Sequence, residues 1–105
     1  MVKFRKQSIT DLSNILIGLI TWEKHPLEYS HAVNYVDKIT DICEKLDTKK
    51  LHSNTQYQSH KQYGNKVYKY RRNKSTTWYI IYNYDKINNI VYIEKILSNY
   101  VTTSE

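Results

Sequence analysis

The feature of this sequence that most constrains its fold is a run of aromatic and β-branched residues in the last third of the chain. Three stretches carry it, at about 66–72, 76–84 and 90–97, and short polar segments separate them. Aromatic and β-branched side chains are enriched in strands, and the polar breaks have the composition of turns. Asn88-Asn89 lies in the second break, and asparagine tolerates the positive φ that hairpin turns need. These stretches predict three consecutive antiparallel strands.

Helical periodicity dominates the first half of the chain, where apolar residues recur three or four positions apart in two segments. The first segment contains Ile9, Leu12, Ile15, Leu16, Leu19 and Ile20, and the second contains Tyr29, Ala32, Val33, Val36, Ile39, Cys43 and Leu46. Two amphipathic helices with a short break between them predict an αα-hairpin. Residues 2–5 alternate in polarity and predict a short strand before the hairpin.

Capping and proline signals predict where these helices begin and end. Ser8 is a favourable N-cap, and Asp11, three residues later, is favoured near a helix N-terminus by the helix dipole. The first helix is expected to end near residues 24–25, because Pro26 disfavours helical geometry in the residue before it. Pro26 itself suits the first turn of the second helix.

Residues 47–66 are mostly polar and have no hydrophobic periodicity. This composition predicts a loop, or a loop with a short irregular strand. Such a length is unusual for a connection within a compact domain, so the segment is expected to be mobile or functional. The chain length suits a single domain, residues 1–105. The predicted fold class is α+β, with an N-terminal strand and an αα-hairpin packed on one face of a small antiparallel β-sheet.

The composition restricts the classes of partner and function that the chain can have. A net charge of +6 and a pI near 9.3 favour phosphate-bearing or acidic partners. The single cysteine, Cys43, excludes a disulfide framework within the chain, and the longest apolar run, 15–20, is too short to span a bilayer. We therefore expect a soluble cytoplasmic protein without a membrane partner. The four histidines lack metal-ligand spacing and Gly18 and Gly64 are the only glycines, so neither a metal nor a cofactor is expected.

Alternation along the strands predicts which face of the sheet each residue occupies. The set expected to pack on the helices is Tyr68, Tyr70, Trp78, Ile80, Tyr82, Tyr84, Val91, Ile93 and Leu97, with Lys95 as a charged exception. Ile96 is expected on the opposite face, which is predicted to be open, basic and aromatic: Lys69, Arg71, Tyr79, Tyr92 and Glu94. Such a surface pairs cations with phosphates and stacks bases on rings, although a plain solvated sheet face carries the same residue types.

The order strand, helical hairpin, loop and three antiparallel strands resembles the RelE/ParE superfamily of bacterial type II toxins, the plasmid-stabilisation proteins. The matching motifs are a basic-aromatic strand at 67–71, a strand at 78–85 that ends aliphatic-aliphatic-Tyr before an acidic turn, and a β-branched strand at 90–93 that leads through 96–98 to a polar tail. Residues 9–20 resemble the first helix of the family. The resemblance covers nearly the whole chain and implies a RelE/ParE-like arrangement.

Toxins of the RelE branch cut messenger RNA in the decoding site of the ribosome, where cations stabilise the phosphate and the 2′-hydroxyl attacks it. The resemblance therefore implies an mRNA endoribonuclease that acts on the ribosome and mRNA and is neutralised by a small acidic antitoxin. Lys69 and Arg71 match the paired basic positions of that branch. Tyr79 stands where an arginine is common, and Tyr100 is placed like the tyrosine that follows the last strand.

Cleavage of RNA by its own 2′-hydroxyl needs a base, cations and an acid. The candidate catalytic residues are Lys69 and Arg71 as the cations, Glu94 or Tyr79 as the base, and Tyr100 as the acid. Glu94 has an alternative role, because it could pair with Arg71 across the sheet. A histidine of the 47–66 segment, His52 or His60, could also reach the open face as an acid or base.

Other functions stay open at this point. Toxins of the ParE branch poison DNA gyrase and need no catalytic set, so the chain could be a gyrase inhibitor. It could also be a degenerate relative of the nucleases. A third possibility is a nucleic-acid-binding module without toxicity, since the basic charge alone does not distinguish these functions.

Overall fold

The structure is a computed structural model, and it describes residues 1–100. Two long helices follow a short first strand, and three consecutive strands end the described part of the chain. The elements are β1 Val2–Phe4, α1 Lys6–Thr21, α2 Tyr29–Glu44, a 3₁₀ turn at Leu46–Thr48, β2 Ser53–Asn54, α3 Gln58–Lys61, β3 Lys66–Arg71, β4 Thr77–Asp85 and β5 Ile90–Ser98. The three predicted C-terminal strands are confirmed, and Asn89 has the positive φ, 52°, expected of the last hairpin turn.

The strands form one five-stranded sheet in the order β1-β5-β4-β3-β2. The neighbouring pairs β5–β4, β4–β3 and β3–β2 are antiparallel, but β1 runs parallel to β5. The coarse prediction of an α+β fold is therefore confirmed, whereas the sheet is mixed rather than antiparallel. A parallel neighbour needs a long crossover connection, and the whole chain between β1 and β5 supplies it.

The predicted helix boundaries are wrong at three ends. Helix α1 begins at Lys6 with Arg5 at its N-cap, so Ser8 lies inside the helix and its hydroxyl donates to the Arg5 carbonyl at 2.7 Å. The same helix ends at Thr21, before the expected position. Pro26 lies in the connection to α2, not in the first turn of that helix.

The main core lies between the sheet and the helical hairpin. Its buried members are Ile39, Cys43, Leu46, Ile80, Tyr82, Val91, Ile93 and Ile96. Trp78 and Tyr84 of β4 and Tyr68 and Tyr70 of β3 pack against this cluster, as strand parity predicts. The thiol of Cys43 is fully buried here, and burial raises its pKa to about 12, so it is an inert apolar group.

A β-bulge in β5 overturns part of the predicted face assignment. Ile81 pairs with Lys95 and Tyr82 pairs with Ile93, so Glu94 is an extra residue without a cross-strand partner. The bulge reverses the alternation beyond it. Ile96 consequently joins the helix-side core and Leu97 packs on the other face, the reverse of the prediction.

Asp11 stabilises this irregular part of β5. Strand β1 pairs with β5 only as far as Ile93, and beyond that point the Asp11 carboxylate takes the place of a neighbouring strand. Its Oδ2 accepts the backbone N–H of Ile96 at 3.0 Å, and its Oδ1 accepts Lys95 Nζ at 2.8 Å. The predicted role of Asp11 at the helix N-terminus is therefore wrong, since its carboxylate binds groups of β5 at the edge of the sheet.

The second face of the sheet is not open. Residues 53–64, here called the covering segment, fold over it and carry β2 and α3. Val67, Tyr79, Ile81 and Leu97 form a second buried cluster, with Tyr57 and Tyr63 of the covering segment packed against it. Gly64 permits the close approach, because a Cβ there would lie 2.8 Å from the Tyr82 carbonyl oxygen. Among residues 1–100, no helix is long and apolar enough to cross a membrane.

Candidate functional site

Two of the five predicted catalytic residues lie directly opposite each other. Lys69 of β3 pairs in register with Tyr79 of β4, and Arg71 lies two positions farther along β3, opposite Thr77. Residues two apart on a strand share a face, so both cations project on the side of the covering segment. Lys69 and Arg71 are exposed, whereas Tyr79 is only 7% exposed, which corrects its predicted place on an open surface.

A cleft lies between α3 of the covering segment and the paired strands β2 and β3, next to this pair. Its volume is about 280 Å³. The residues that line it are Ser53, Asn54, Gln56, Tyr57, His60, Val67, Tyr68, Lys69 and Tyr79. The cleft therefore combines an exposed ammonium group, two amides, several hydroxyls and several aromatic rings within one concave surface, which is the usual composition of a ligand site.

Three rings in mutual contact lie within this cleft lining. The ring centroids of His60 and Tyr79 are 4.9 Å apart, those of Tyr57 and His60 are 5.1 Å apart, and those of Tyr57 and Tyr79 are 5.9 Å apart. The Tyr57 ring packs edge to face on the other two, with interplanar angles of 77° and 89°, and the rings of His60 and Tyr79 are tilted by 51°. Short helix α3 places His60, and β4 places Tyr79.

The environment of Tyr79 determines which proton role it can take. Burial raises the pKa of Tyr79, and a hydrogen bond with Tyr57 raises it further. A phenol with a raised pKa keeps its proton at neutral pH, so it can donate a hydrogen bond or a proton but is a poor base. The sequence predicts Tyr79 as a base, whereas its raised pKa suits the role of a donor.

The cations of β3 are available for an anion. Within the described chain, neither Lys69 nor Arg71 makes an ion pair, and Arg71 Nε donates only to the Asn73 carbonyl oxygen at 3.4 Å. Exposed, unpaired cations on adjacent same-face positions suit contacts with successive phosphates. Among residues 1–100, no carboxylate lines the cleft to compete for them.

Glu94 lies apart from this group. Glu94 Oε2 accepts hydrogen bonds from Asn83 Nδ2 of β4 at 3.0 Å and from Nε of Arg5, the N-cap of α1, at 3.4 Å. Asn83 is four residues from Tyr79 along β4, which is about 13 Å of strand. The expected alternative partner, Arg71, is wrong, since the carboxylate pairs with Arg5 instead.

Tyr100 also lies outside the cleft. It is 69% exposed, and its hydroxyl oxygen is 3.5 Å from Thr76 Oγ1. Its ring lines a separate cavity of about 420 Å³ with Trp78 of β4 and Tyr35 of α2, on the helix side of the sheet. The five predicted site residues thus do not converge on one point.

Of the two histidines in the 47–66 segment, only His60 reaches the cleft. His52 lies on the helix side, where its Nδ1 is 2.6 Å from the Tyr82 hydroxyl oxygen and its ring stacks on Tyr84. Sequence reasoning singled out the segment by its length but could not choose between the histidines, and it missed Tyr57. The spacing of Tyr57 and His60, three apart on one helical turn, is the signal that could have identified both.

The described residues contain no group of three or more His, Cys, Asp and Glu side chains that could hold a metal ion. Comparison of the chain with protein-family models, with curated proteins and with solved structures found no significant match. The site geometry therefore carries the functional argument.

Proposed function

We propose that this chain is the toxin of a bacterial type II toxin–antitoxin pair, of the RelE/ParE type, and that it cleaves mRNA on the ribosome. The observation that carries the proposal is the placement of Lys69 beside Tyr79 and His60 in one cleft. The resemblance in element order supports the family, and a basic sheet strand next to a histidine supports phosphodiester chemistry.

The proposed reaction is an internal transesterification of RNA. The 2′-oxygen forms a bond to phosphorus, the bond from phosphorus to the 5′-oxygen breaks, and the products are a 2′,3′-cyclic phosphate and a 5′-hydroxyl end. Lys69, with Arg71 beside it, stabilises the charge that develops on the phosphate. No external reactant is consumed, because the proton lost by the 2′-hydroxyl equals the proton gained by the leaving oxygen.

The proton roles fall to groups in the cleft. Tyr79 is proposed as the acid for the leaving oxygen, since its raised pKa keeps it protonated. His60, whose ring packs on Tyr79, is proposed as the base, because histidine is the side chain that most often acts as a general base. Glu94 and Tyr100 take no part in this proposal, since one is paired with Arg5 and the other lies on the helix side.

The proposed partners follow from charge. An acidic antitoxin would be attracted to the exposed cations that continue from β3 into the next turn, namely Lys69, Arg71, Arg72 and Lys74. The ribosome and its mRNA are polyanions to which the same surface would bind, so antitoxin and substrate are proposed to compete. This proposal places the protein in the bacterial cytoplasm.

Induced expression without an antitoxin tests the proposal. We expect growth arrest and new mRNA 5′ ends detectable by primer extension. The double variant Lys69→Ala, Arg71→Ala should reduce the yield of those ends about 100-fold or more, because stabilisation of the developing charge is lost. Lys86→Ala is the matched control, since Lys86 is exposed in the turn between β4 and β5, outside both the cleft and this cationic surface. Undiminished cleavage by the double variant would disprove the catalytic role.

One observation favours a non-enzymatic alternative. Glu94 and Tyr100 lie away from Lys69, so the predicted acid–base set is not assembled. A ParE-like inhibitor of DNA gyrase needs no such set. Purified protein that inhibits gyrase supercoiling and leaves mRNA intact would establish this alternative, and normal supercoiling alongside mRNA cleavage would remove it.

A further inference from the structure

We propose that the cleft is a base-recognition site, which holds one unstacked nucleotide of single-stranded RNA and sets the sequence preference of cleavage. The nucleotide would place its phosphate on Lys69, its ribose over Tyr79 and its base against Tyr57. The inference about cleavage rests on the proposed function, whereas base recognition can be measured without cleavage.

The size of the cleft suits a single nucleotide. Sites for drug-sized ligands have volumes of about 300–1,000 Å³, and this cleft, at about 280 Å³, is just below that range. Its position between α3 and the paired strands β2 and β3 leaves no room for a duplex, whose bases are stacked inward. Sequence-specific readers of RNA mostly take single-stranded bases that can turn outward and stack on aromatic rings.

Aromatic residues give the cleft affinity for a planar base. Tyr57 is half-buried and holds its ring next to His60 and Tyr79, which fix its orientation by edge-to-face contacts. A base that stacks on an aromatic side chain contributes about 1–3 kcal/mol, whichever base it is. Stacking alone would therefore bind RNA without choosing a sequence.

Two polar side chains are placed to distinguish one base from another. Ser53 pairs with Val67 in the β2–β3 ladder, and cross-strand partners share a face, so Ser53 projects on the cleft side. Gln56 is exposed at the cleft and carries both a donor and an acceptor, which can form two hydrogen bonds with a base edge. Asn54 has a structural role instead, because its Oδ1 accepts Lys66 Nζ at 2.6 Å.

Binding of uncleavable RNA separates this inference from catalysis. The probes are fluorescein-labelled 2′-O-methyl hexanucleotides of A, C, G and U, which lack the attacking hydroxyl. We expect wild type to prefer one base at least about fivefold and Gln56→Ala to remove that preference. Tyr57→Leu should weaken all four complexes about tenfold, and Tyr57→Phe should preserve them. Gln62→Ala is the control, because Gln62 lies outside the cleft and donates to the Ser59 carbonyl oxygen.

The outcomes distinguish this inference from the proposed function. Equal binding of all four probes, or a preference that Gln56→Ala leaves unchanged, overturns the base-recognition site even if mRNA is cleaved. A preference that depends on Gln56 supports the site, even if mRNA is not cleaved and the nuclease proposal fails. If mRNA is cleaved, sequencing of the cut ends should show a base preference for wild type and Gln62→Ala that is lost in Gln56→Ala. Circular dichroism and thermal unfolding of each variant identify any that fail to fold. If Tyr57→Leu does not fold, Gln56→Ala, at an exposed position, still tests the base preference.

Discussion

The two faces of the sheet are both buried, but by very different amounts of structure. On the helix side, Ile80 packs under α1 and α2, which have 16 residues each. On the cleft side, Ile81 packs under the covering segment, whose helix α3 has four residues. A short polar segment opens locally at lower cost than two long amphipathic helices. The helix side therefore provides most of the packing that stabilises the fold, while the cleft side can change conformation more easily to fit a ligand.

Truncation of two adjacent isoleucines tests most directly whether the two faces of the sheet differ in rigidity. Ile80 and Ile81 are both fully buried but point to opposite faces. We expect Ile80→Ala to lower the free energy of unfolding by about 4 kcal/mol and Ile81→Ala by about 2 kcal/mol, because the covering segment can relax into the space left on its side. Urea denaturation of both variants measures the two losses. An equal or larger loss at Ile81 would show that the cleft side is at least as rigid as the helix side.

A second prediction concerns how closely the covering segment approaches the sheet. Gly64→Ala would put a Cβ 2.8 Å from the Tyr82 carbonyl oxygen and 3.1 Å from Ile81 Cγ2, so the segment must move outward. We expect a loss of about 2 kcal/mol in the free energy of unfolding, together with weaker RNA binding in the cleft.

Gly18 supplies the matched control for that change. A Cβ at Gly18 has nothing within 4 Å, and the residue is exposed in the middle of α1. Gly18→Ala should therefore raise stability by about 0.5–1 kcal/mol, because alanine favours the helix. Thermal and urea unfolding measure both variants, and a harmless Gly64→Ala would mean that the segment is not held against the sheet.

The same asymmetry explains what the sequence could predict. The helix side follows simple periodicity, so the three C-terminal strands and the inward set of β4 are confirmed, and both helices occur although their ends differ. The cleft side depends on tertiary contacts that leave no hydrophobic periodicity in the sequence. Residues 53–64 are polar and irregular, yet Tyr57 and Tyr63 cover the sheet, and Tyr79 is buried as a result.

The bulge at Glu94 is the second source of error. A strand with strict alternation would place Leu97 under the helices, but one extra residue reverses every side chain beyond it. Asp11 compensates the irregular edge from 85 positions away in sequence, by accepting the backbone N–H of Ile96. Such a pairing is a tertiary property, and the local rule that the helix dipole favours Asp11 could not predict it. The roles proposed for Lys69, Arg71 and Tyr79 stay predictions until activity is measured.

The last prediction concerns ionisation in the helix-side core. Tyr82 is 2% exposed, and its burial, with a smaller contribution from Tyr84, raises its pKa to about 12 from a usual value of 10. Below pH 10 the phenol is protonated in both the folded and the unfolded chain, so it adds no pH dependence. Between about pH 10 and 12 only the unfolded chain releases the proton, and stability must fall as pH rises.

Tyr82→Phe isolates this contribution. The variant loses the contact of the hydroxyl with His52 at every pH, which gives a constant offset of about 1 kcal/mol. The pH dependence is the informative quantity: from pH 9 to 11, wild type should lose about 1 kcal/mol more than Tyr82→Phe. Cys43 and Tyr79 also have raised pKa values, but they are present in both proteins and cancel in the difference. Parallel pH profiles would mean that water already reaches Tyr82, and the helix side would then be no more tightly closed than the cleft side.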